Sequence, residues 1–220
     1  MMDRFRIHGT LGRRLEELGV SSIAVLRRAG LPAGLFDQSK ILVTTEEMFA
    51  LYSAVHEISD DPGIGLKLGS EGERPERYSP VAIAALYSRS FGDALKRIAR
   101  YKRLVSPQEI RITERGKECA VEFVWLLAET TEAPTWIDMC FAWTVTIGKR
   151  GTGRALNPLR VELRRPEAHR RLYEAHFQCP VKFGARRNRL FFCGEDVSQP
   201  FVTHNPELLE LVAPQLEAEL

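Results

Sequence analysis

The chain has 220 residues, 44% of them hydrophobic and 27% charged, with a formal net charge of +2. That composition supports a buried core and excludes a disordered or fibrous chain. No run approaches the roughly 18 to 20 apolar residues of a membrane helix, and the start, "MMDRFRIHGTLGRRLEE", has no apolar segment of a secretory signal.

The small net charge hides an uneven distribution. From Lys149 to Arg189 there are 12 Lys and Arg against 3 Asp and Glu, whereas beyond Arg189 the charged residues are 6 acidic ones. The four cysteines, Cys119, Cys140, Cys179 and Cys193, form no CxxC pair. Free, buried thiols in a reducing, cytoplasmic setting are expected.

In chain order, "LEELGVSSIAVLRRAG" predicts two short helices around a glycine turn, the second capped by Ser21 or Ser22 and ended by Gly30. With Ile23, Leu26 and Ala29 toward the core, Ser22, Ala24, Val25 and Arg28 point outward. A DNA-reading helix needs side chains that hydrogen-bond base edges, and Ala24 and Val25 cannot. The pair therefore reads as packing helices. "TTEEMFALYSAVHEIS" opens with the Thr44 to Glu47 spacing of a capping box, then carries Met48, Phe49, Tyr52, Val55 and Ile58 at helical intervals. The first 70 residues thus read as short helices, and residues 69–77, dominated by glycine, proline and charge, as a surface loop.

Ser79-Pro80 and Ser90 with Asp93 start two further helices, the second running to about Val105. The period then changes. Ile110 and Ile112 alternate, Arg115-Gly116-Lys117 turns, and Val121, Phe123, Trp125 and Leu127 alternate, a β-hairpin with one apolar face. Helical spacing returns with Trp136, Met139, Cys140, Trp143 and Ile147. "LRVELRR" predicts a strand, "PEAHRRLYEAHF" a helix, "PVKFGA" and "NRLFF" two short strands, and "NPELLELVAPQLEAEL" a final helix capped by Asn205. The expected class is α+β, with a small, mostly antiparallel sheet packed with many helices.

Few of these residues carry a catalytic signature. His169, His176 and Cys179 lack the paired short spacing of a zinc site. There is no G-x-S-x-G elbow and no paired carboxylate in an apolar setting. Gly151-Thr152-Gly153 lacks the strand-before, helix-after context and the Lys-Ser/Thr pair of a phosphate loop. No catalytic residue, metal ligand or cofactor is expected. Arg164, Arg165, Arg170, Arg171, Arg186, Arg187 and Arg189 read as solvated faces, or collectively as a surface for phosphates, the acidic tail or an acidic partner.

The segment "NPLRVELRRPEAHRRLYEAHFQCPVKFGARRNRLFFCGEDVSQPFVTHNPEL" resembles the N-terminal, arabinose-binding-type domain of AraC transcription regulators. The resemblance is carried by Pro158, Arg165-Pro166, Tyr173, Phe177, Cys179-Pro180-Val181, Phe183-Gly184-Ala185, Asn188, Leu190, Phe192 and Asn205. "LRRAGLP", "DPGIGLKLG" and "SFGDALKRIARYKRLVS" extend it over nearly the whole chain. It implies an effector-binding and dimerisation domain over residues 1–204, helical in 1–106 and α+β in 107–204. Residues 205–220 would begin a connector toward a C-terminal helix-turn-helix module beyond this chain. The implied partners are a small-molecule effector and a second copy of the chain, with DNA reached only through that module and no membrane contact. The motif residues read as scaffold, so the resemblance assigns no effector contact. The rival readings are an interaction module without ligand and a small-metabolite enzyme.

Two side-chain sets are singled out. Tryptophan carries an N–H that wants a partner and commonly lines pockets, so Tyr87, Tyr101, Trp125, Trp136, Met139 and Trp143 are the candidate effector contacts, between the hairpin and its surrounding helices, with plain core packing the alternative role for each. Leu208, Val212, Leu216 and Leu220 recur every fourth residue in the last helix and are the candidate dimer or connector stripe, with Pro214 expected to kink it. The same stripe could instead pack on its own domain.

Overall fold

The computed structural model describes residues 4–7, 9–38, 40–70, 79–126 and 132–220. Leu127 and all but the first two residues of the loop expected at 69–77 lie outside these ranges.

The N-terminal part departs from the all-helical expectation. Strand β1 (Arg4–Ile7) pairs antiparallel with β2 (Ile41–Thr44), placing Ile7 opposite Ile41 and Arg4 opposite Thr44. Between them lie α1 (Leu11–Glu17) and α2 (Ser22–Arg28). Ser21 caps α2, its hydroxyl accepting from the Ala24 amide at 3.3 Å, and Gly19 and Gly30 supply the left-handed turns, with φ of 76° and 69°. The phase of α2 differs from the expected one. Val25 and Leu26 are buried against the following helix, whereas Ile23 is 65% exposed. The adjacent pair Val25–Leu26 fixes the phase of so short a helix.

Thr44 ends β2 and caps α3 (Thr45–Ile58). Both bonds of the capping box form: Glu47 N donates to Thr44 Oγ1 at 3.1 Å, and Thr44 N donates to Glu47 Oε2 at 2.8 Å. Next come α4 (Ile64–Gly69), α5 (Pro80–Leu86) and α6 (Phe91–Tyr101), the last tightening into a 3₁₀ turn at Lys102–Leu104.

The expected hairpin is β3 (Gln108–Arg115) and β4 (Glu118–Trp125), turning at Gly116 with φ of 60°. With β5 (Arg160–Glu162), β6 (Val181–Lys182) and β7 (Arg189–Cys193) it makes a five-stranded sheet, ordered β3-β4-β7-β5-β6. Its pairs are antiparallel except β5 with β6, which α8 (Arg170–Phe177) connects. That helix starts later than the expected Pro166, because His169 takes a left-handed conformation, φ 52°, immediately before it. The class is α+β.

Helix α7 (Pro134–Thr152) is the internal axle, buried on most of its circumference. Helix α4 lies directly on it: a Cβ at Gly69 would stand 2.2 Å from the Met139 carbonyl oxygen, and one at Gly65 would stand 2.7 Å from that of Thr135. Helix α9 (Gly194–Val197) follows the sheet, and α10 (Pro206–Glu219), capped by Asn205 and continuous through Pro214, packs back on α5. Leu209 and Leu216 of α10 join Val81, Ala84 and Tyr101 in a small second core. No helix among the described residues is long and apolar enough to cross a membrane.

Candidate functional site

The register of the hairpin puts Gln108 opposite Trp125 and Ile110 opposite Phe123, so all four share the face turned to the helices. On that face Trp125 meets Phe49 of α3 edge-on, centroids 4.6 Å apart, and lies 5.6 Å from the Trp136 ring of α7. Trp136 in turn meets Tyr52 of α3 edge-on at 4.7 Å. Strand end, α3 and the start of α7 therefore converge on one aromatic cluster.

Lys102 enters this cluster from the 3₁₀ turn after α6. Only 8% exposed, its ammonium sits 5.2 Å from the Trp136 ring centroid and 5.7 Å from that of Phe123. Its ammonium contacts the Cys140 sulfur at 3.9 Å. Burial pushes the Cys140 thiol above its ordinary range, so the sulfur is a neutral, weak acceptor. Among the described residues no carboxylate forms an ion pair with Lys102. The Trp125 and Trp136 Nε1 atoms are also buried without an acceptor among the described residues, as is Gln108 Nε2, while Gln108 Oε1 accepts from the Ser106 hydroxyl at 3.2 Å. Among the described residues, the site thus offers a cation and several N–H donors that meet no protein oxygen, inside a wall of rings.

The other side of α7 is balanced. Asp138, almost fully buried, accepts from Arg165 Nη2 at 2.6 Å and from the Tyr173 hydroxyl at 2.8 Å. Burial and the adjacent Asp138 carboxylate push the Tyr173 hydroxyl far up, which keeps it a donor. Asn188 accepts from the Arg164 amide at 2.8 Å and donates to the buried Glu132 carboxylate. Residues that carried the family resemblance, Arg165, Tyr173 and Asn188, are therefore scaffold.

Part of the basic stretch is paired within the domain. Arg160 bonds Glu118 at 2.8 Å, Arg187 bonds Glu122 at 3.0 Å and Arg189 bonds Glu162 at 2.6 Å across the sheet, and Arg170 reaches Glu167 and Glu174. Part of its positive charge is compensated by these carboxylates.

Of the six aromatic and methionine candidates, the structure brings Trp125 and Trp136 together. Met139 and Trp143 are partly buried against the main core, and Tyr87 ends α5 where the two cores meet. Tyr101 turns the other way: its hydroxyl donates to Glu217 Oε1 of α10 at 2.6 Å. In α10, Leu216 is buried, Leu208 and Val212 are half-buried, and Leu220 is 54% exposed. The covered stripe is Leu209, Val212 and Leu216, packed on α5 and Tyr101. Two surface grooves, of about 420 and 520 Å³, lie elsewhere, between α6 and His204 and beside the hairpin turn at Gly116.

Lys102 and Gln108 were not among the sequence candidates, yet a signal for both exists. Phe91, Leu95 and Ile98 are buried, and the next position at helical spacing is Lys102. Gln108 stands in phase with Ile110 and Ile112. A polar residue where the period demands an apolar one is informative.

The arabinose-binding domain of AraC transcription regulators, an N-terminal domain, matches residues 19–201. The fold is similar to that of the transcriptional regulator CdpR from Pseudomonas aeruginosa, with a TM-score of 0.63 at 16% identity. That alignment covers 94% of this chain and 64% of CdpR, so the chain spans under two thirds of the regulator it resembles. The sequence matches no curated protein. With the match spanning most of its length, the chain belongs to the family of arabinose-binding-type effector domains of AraC transcription regulators.

Proposed function

We propose that this chain is the ligand-sensing domain of a cytoplasmic transcription regulator. A small-molecule effector enters the cluster around Lys102, Trp125 and Trp136, and its binding biases α10, the connector toward a DNA-binding module. The observation that carries this reading is the adjacency of Tyr101 and Lys102. Consecutive residues at the end of α6 serve two places: Lys102 the aromatic cluster, Tyr101 the anchor of α10. A ligand that displaces Lys102 strains the same turn that holds Tyr101 against Glu217. The two sites share one rigid element, which is the physical requirement for coupling.

The domain acts as a homodimer in this reading. Leu216 and Val212 pack on their own domain, leaving Leu211 and Leu220, 69% and 54% exposed, as the apolar residues of α10 open to a second copy. DNA is bound specifically through the module beyond this chain, and Ser22 to Arg28 make no base contacts.

A thermal-shift screen of amino acids, fatty acids and aromatic acids, alongside neutral and cationic compounds, tests the sensing reading. A compound that binds only the folded domain raises its melting temperature and changes hydrogen exchange in α10. A screen in which no class of compound raises it rejects the reading. Light scattering that gives a monomer at high micromolar concentration rejects the homodimer.

A further inference from the structure

We infer that the Lys102 cluster takes a monoanionic carboxylate carried on a flat apolar body, a ligand class that rests on the sensing reading above. Three facts narrow the chemistry. First, every polar group that lacks a partner there among the described residues is a donor: the Trp125 and Trp136 indole N–H groups and the Gln108 amide nitrogen. Lys102 adds an ammonium whose hydrogen-bond contact among the described residues is a neutral sulfur at 3.9 Å. Buried donors in such number are stable together when one acceptor satisfies several of them, and a carboxylate has two oxygens able to accept about four bonds.

Second, the cluster holds one formal charge among the described residues. A carboxylate compensates it, whereas a doubly charged phosphate would leave a buried charge unbalanced at a cost of several kcal/mol. A cationic ligand would meet Lys102 as a like charge.

Third, the remaining walls are ring faces and edges from Phe49, Tyr52 and Phe123, with centroids set by contacts of 4.6 to 5.7 Å. They suit a planar or slender apolar body. Trp125 is the point of entry. It ends β4, is only partly buried, and the next residue, Leu126, is 44% exposed.

The test uses a matched trio of probes: 4-phenylbutyrate, its amide and 4-phenylbutylamine, titrated against intrinsic tryptophan fluorescence and melting temperature. Phenylbutyrate is expected to quench the fluorescence and raise the melting temperature. The amide should bind about tenfold more weakly, the amine more weakly still. Lys102→Met should weaken the carboxylate and leave the amide unchanged, so that the two affinities converge. Trp125→Phe and Trp136→Phe keep a ring and remove one N–H each, and each should weaken phenylbutyrate several-fold. These two variants carry the test should Lys102→Met fail to fold.

Equal affinity for phenylbutyrate and its amide overturns the proposal. So does an absence of phenylbutyrate binding at millimolar concentration, which would mean that solvent alone serves these donors. In either case, a melting-temperature rise with a neutral or cationic compound leaves the sensing reading standing and removes only the carboxylate. Failure of every class removes both.

Discussion

The two flanks of α7 solve opposite problems with similar materials. On one flank Asp138, Arg165 and Tyr173 form a buried network in which every charge has its counter-charge and α4 is pressed close by Gly65 and Gly69. On the other, Lys102 and Trp136 are buried and Trp125 is partly so, and among the described residues donors outnumber acceptors. The first arrangement holds the fold. The second costs stability, and such a cost is retained where binding needs it. Under the proposed function, helix α7 separates a structural side from a receptive one.

The sharpest way to break the comparison is to unbalance the balanced flank. Arg165→Met leaves Asp138 buried without its cation, and the expected loss is about 3 to 5 kcal/mol, measured by urea unfolding. Asp138→Asn together with Arg165→Met should recover part of it, since no charge remains to desolvate. A loss under about 1 kcal/mol for Arg165→Met would mean that solvent reaches Asp138 and that this flank is not closed.

Close packing on the same flank gives the next largest effect. Gly69→Ala drives a methyl group to 2.2 Å from the Met139 carbonyl oxygen, backbone that cannot rotate away. Helix α4 must shift, at an expected cost of about 1 to 3 kcal/mol. A neutral result would show that α4 slides freely on α7.

How much of this contrast the sequence displays varies by element. The capping box of α3, the hairpin and α7 are legible because each signal is local: a spacing of three, an alternation, a long apolar period. The pairing of β1 with β2 is not, because four-residue strands are too short to show a period and their partners lie far apart in the chain. The phase of α2 misleads for a related reason. Ile23 and Val25 are equally apolar, and only contact with α3 decides that Val25 goes inside. The three tryptophans mark the region of the candidate site, but which side chains meet there depends on tertiary geometry. Tyr101 and Lys102 are neighbours in sequence and part company in space.

On the receptive flank the expected sign reverses. Lys102→Met removes a buried cation with no carboxylate partner among the described residues and supplies an apolar chain of similar length. Cation–π attraction from Trp136 and Phe123 offsets part of the desolvation cost of the lysine. The net expectation is a gain of about 1 kcal/mol in unliganded stability. A clear loss in the unliganded domain would show that Lys102 is a packing residue in a satisfied environment, and the contrast between the flanks would collapse.

The smallest effect comes from the surface, where α10 is anchored. Glu217 accepts from Arg100 Nε at 2.7 Å and from the Tyr101 hydroxyl at 2.6 Å, and these bonds, the arginine's foremost, hold its carboxyl down to about 2, below the ordinary 4.5. A carboxyl depressed on folding stabilises the docked helix above its unfolded value, and that contribution fades as pH falls from about 4.5 toward 2. Because the pair is open to water and screened by salt, its effect is expected to be slight at neutral pH. Hydrogen exchange in α10 should therefore quicken as pH drops through that window, after correction for intrinsic rates, and Glu217→Gln should abolish the pH dependence without altering exchange in α7. If α10 loosens identically in the variant, the helix is held by Leu209 and Leu216 alone, and the Tyr101 contact does not link α10 to the receptive flank.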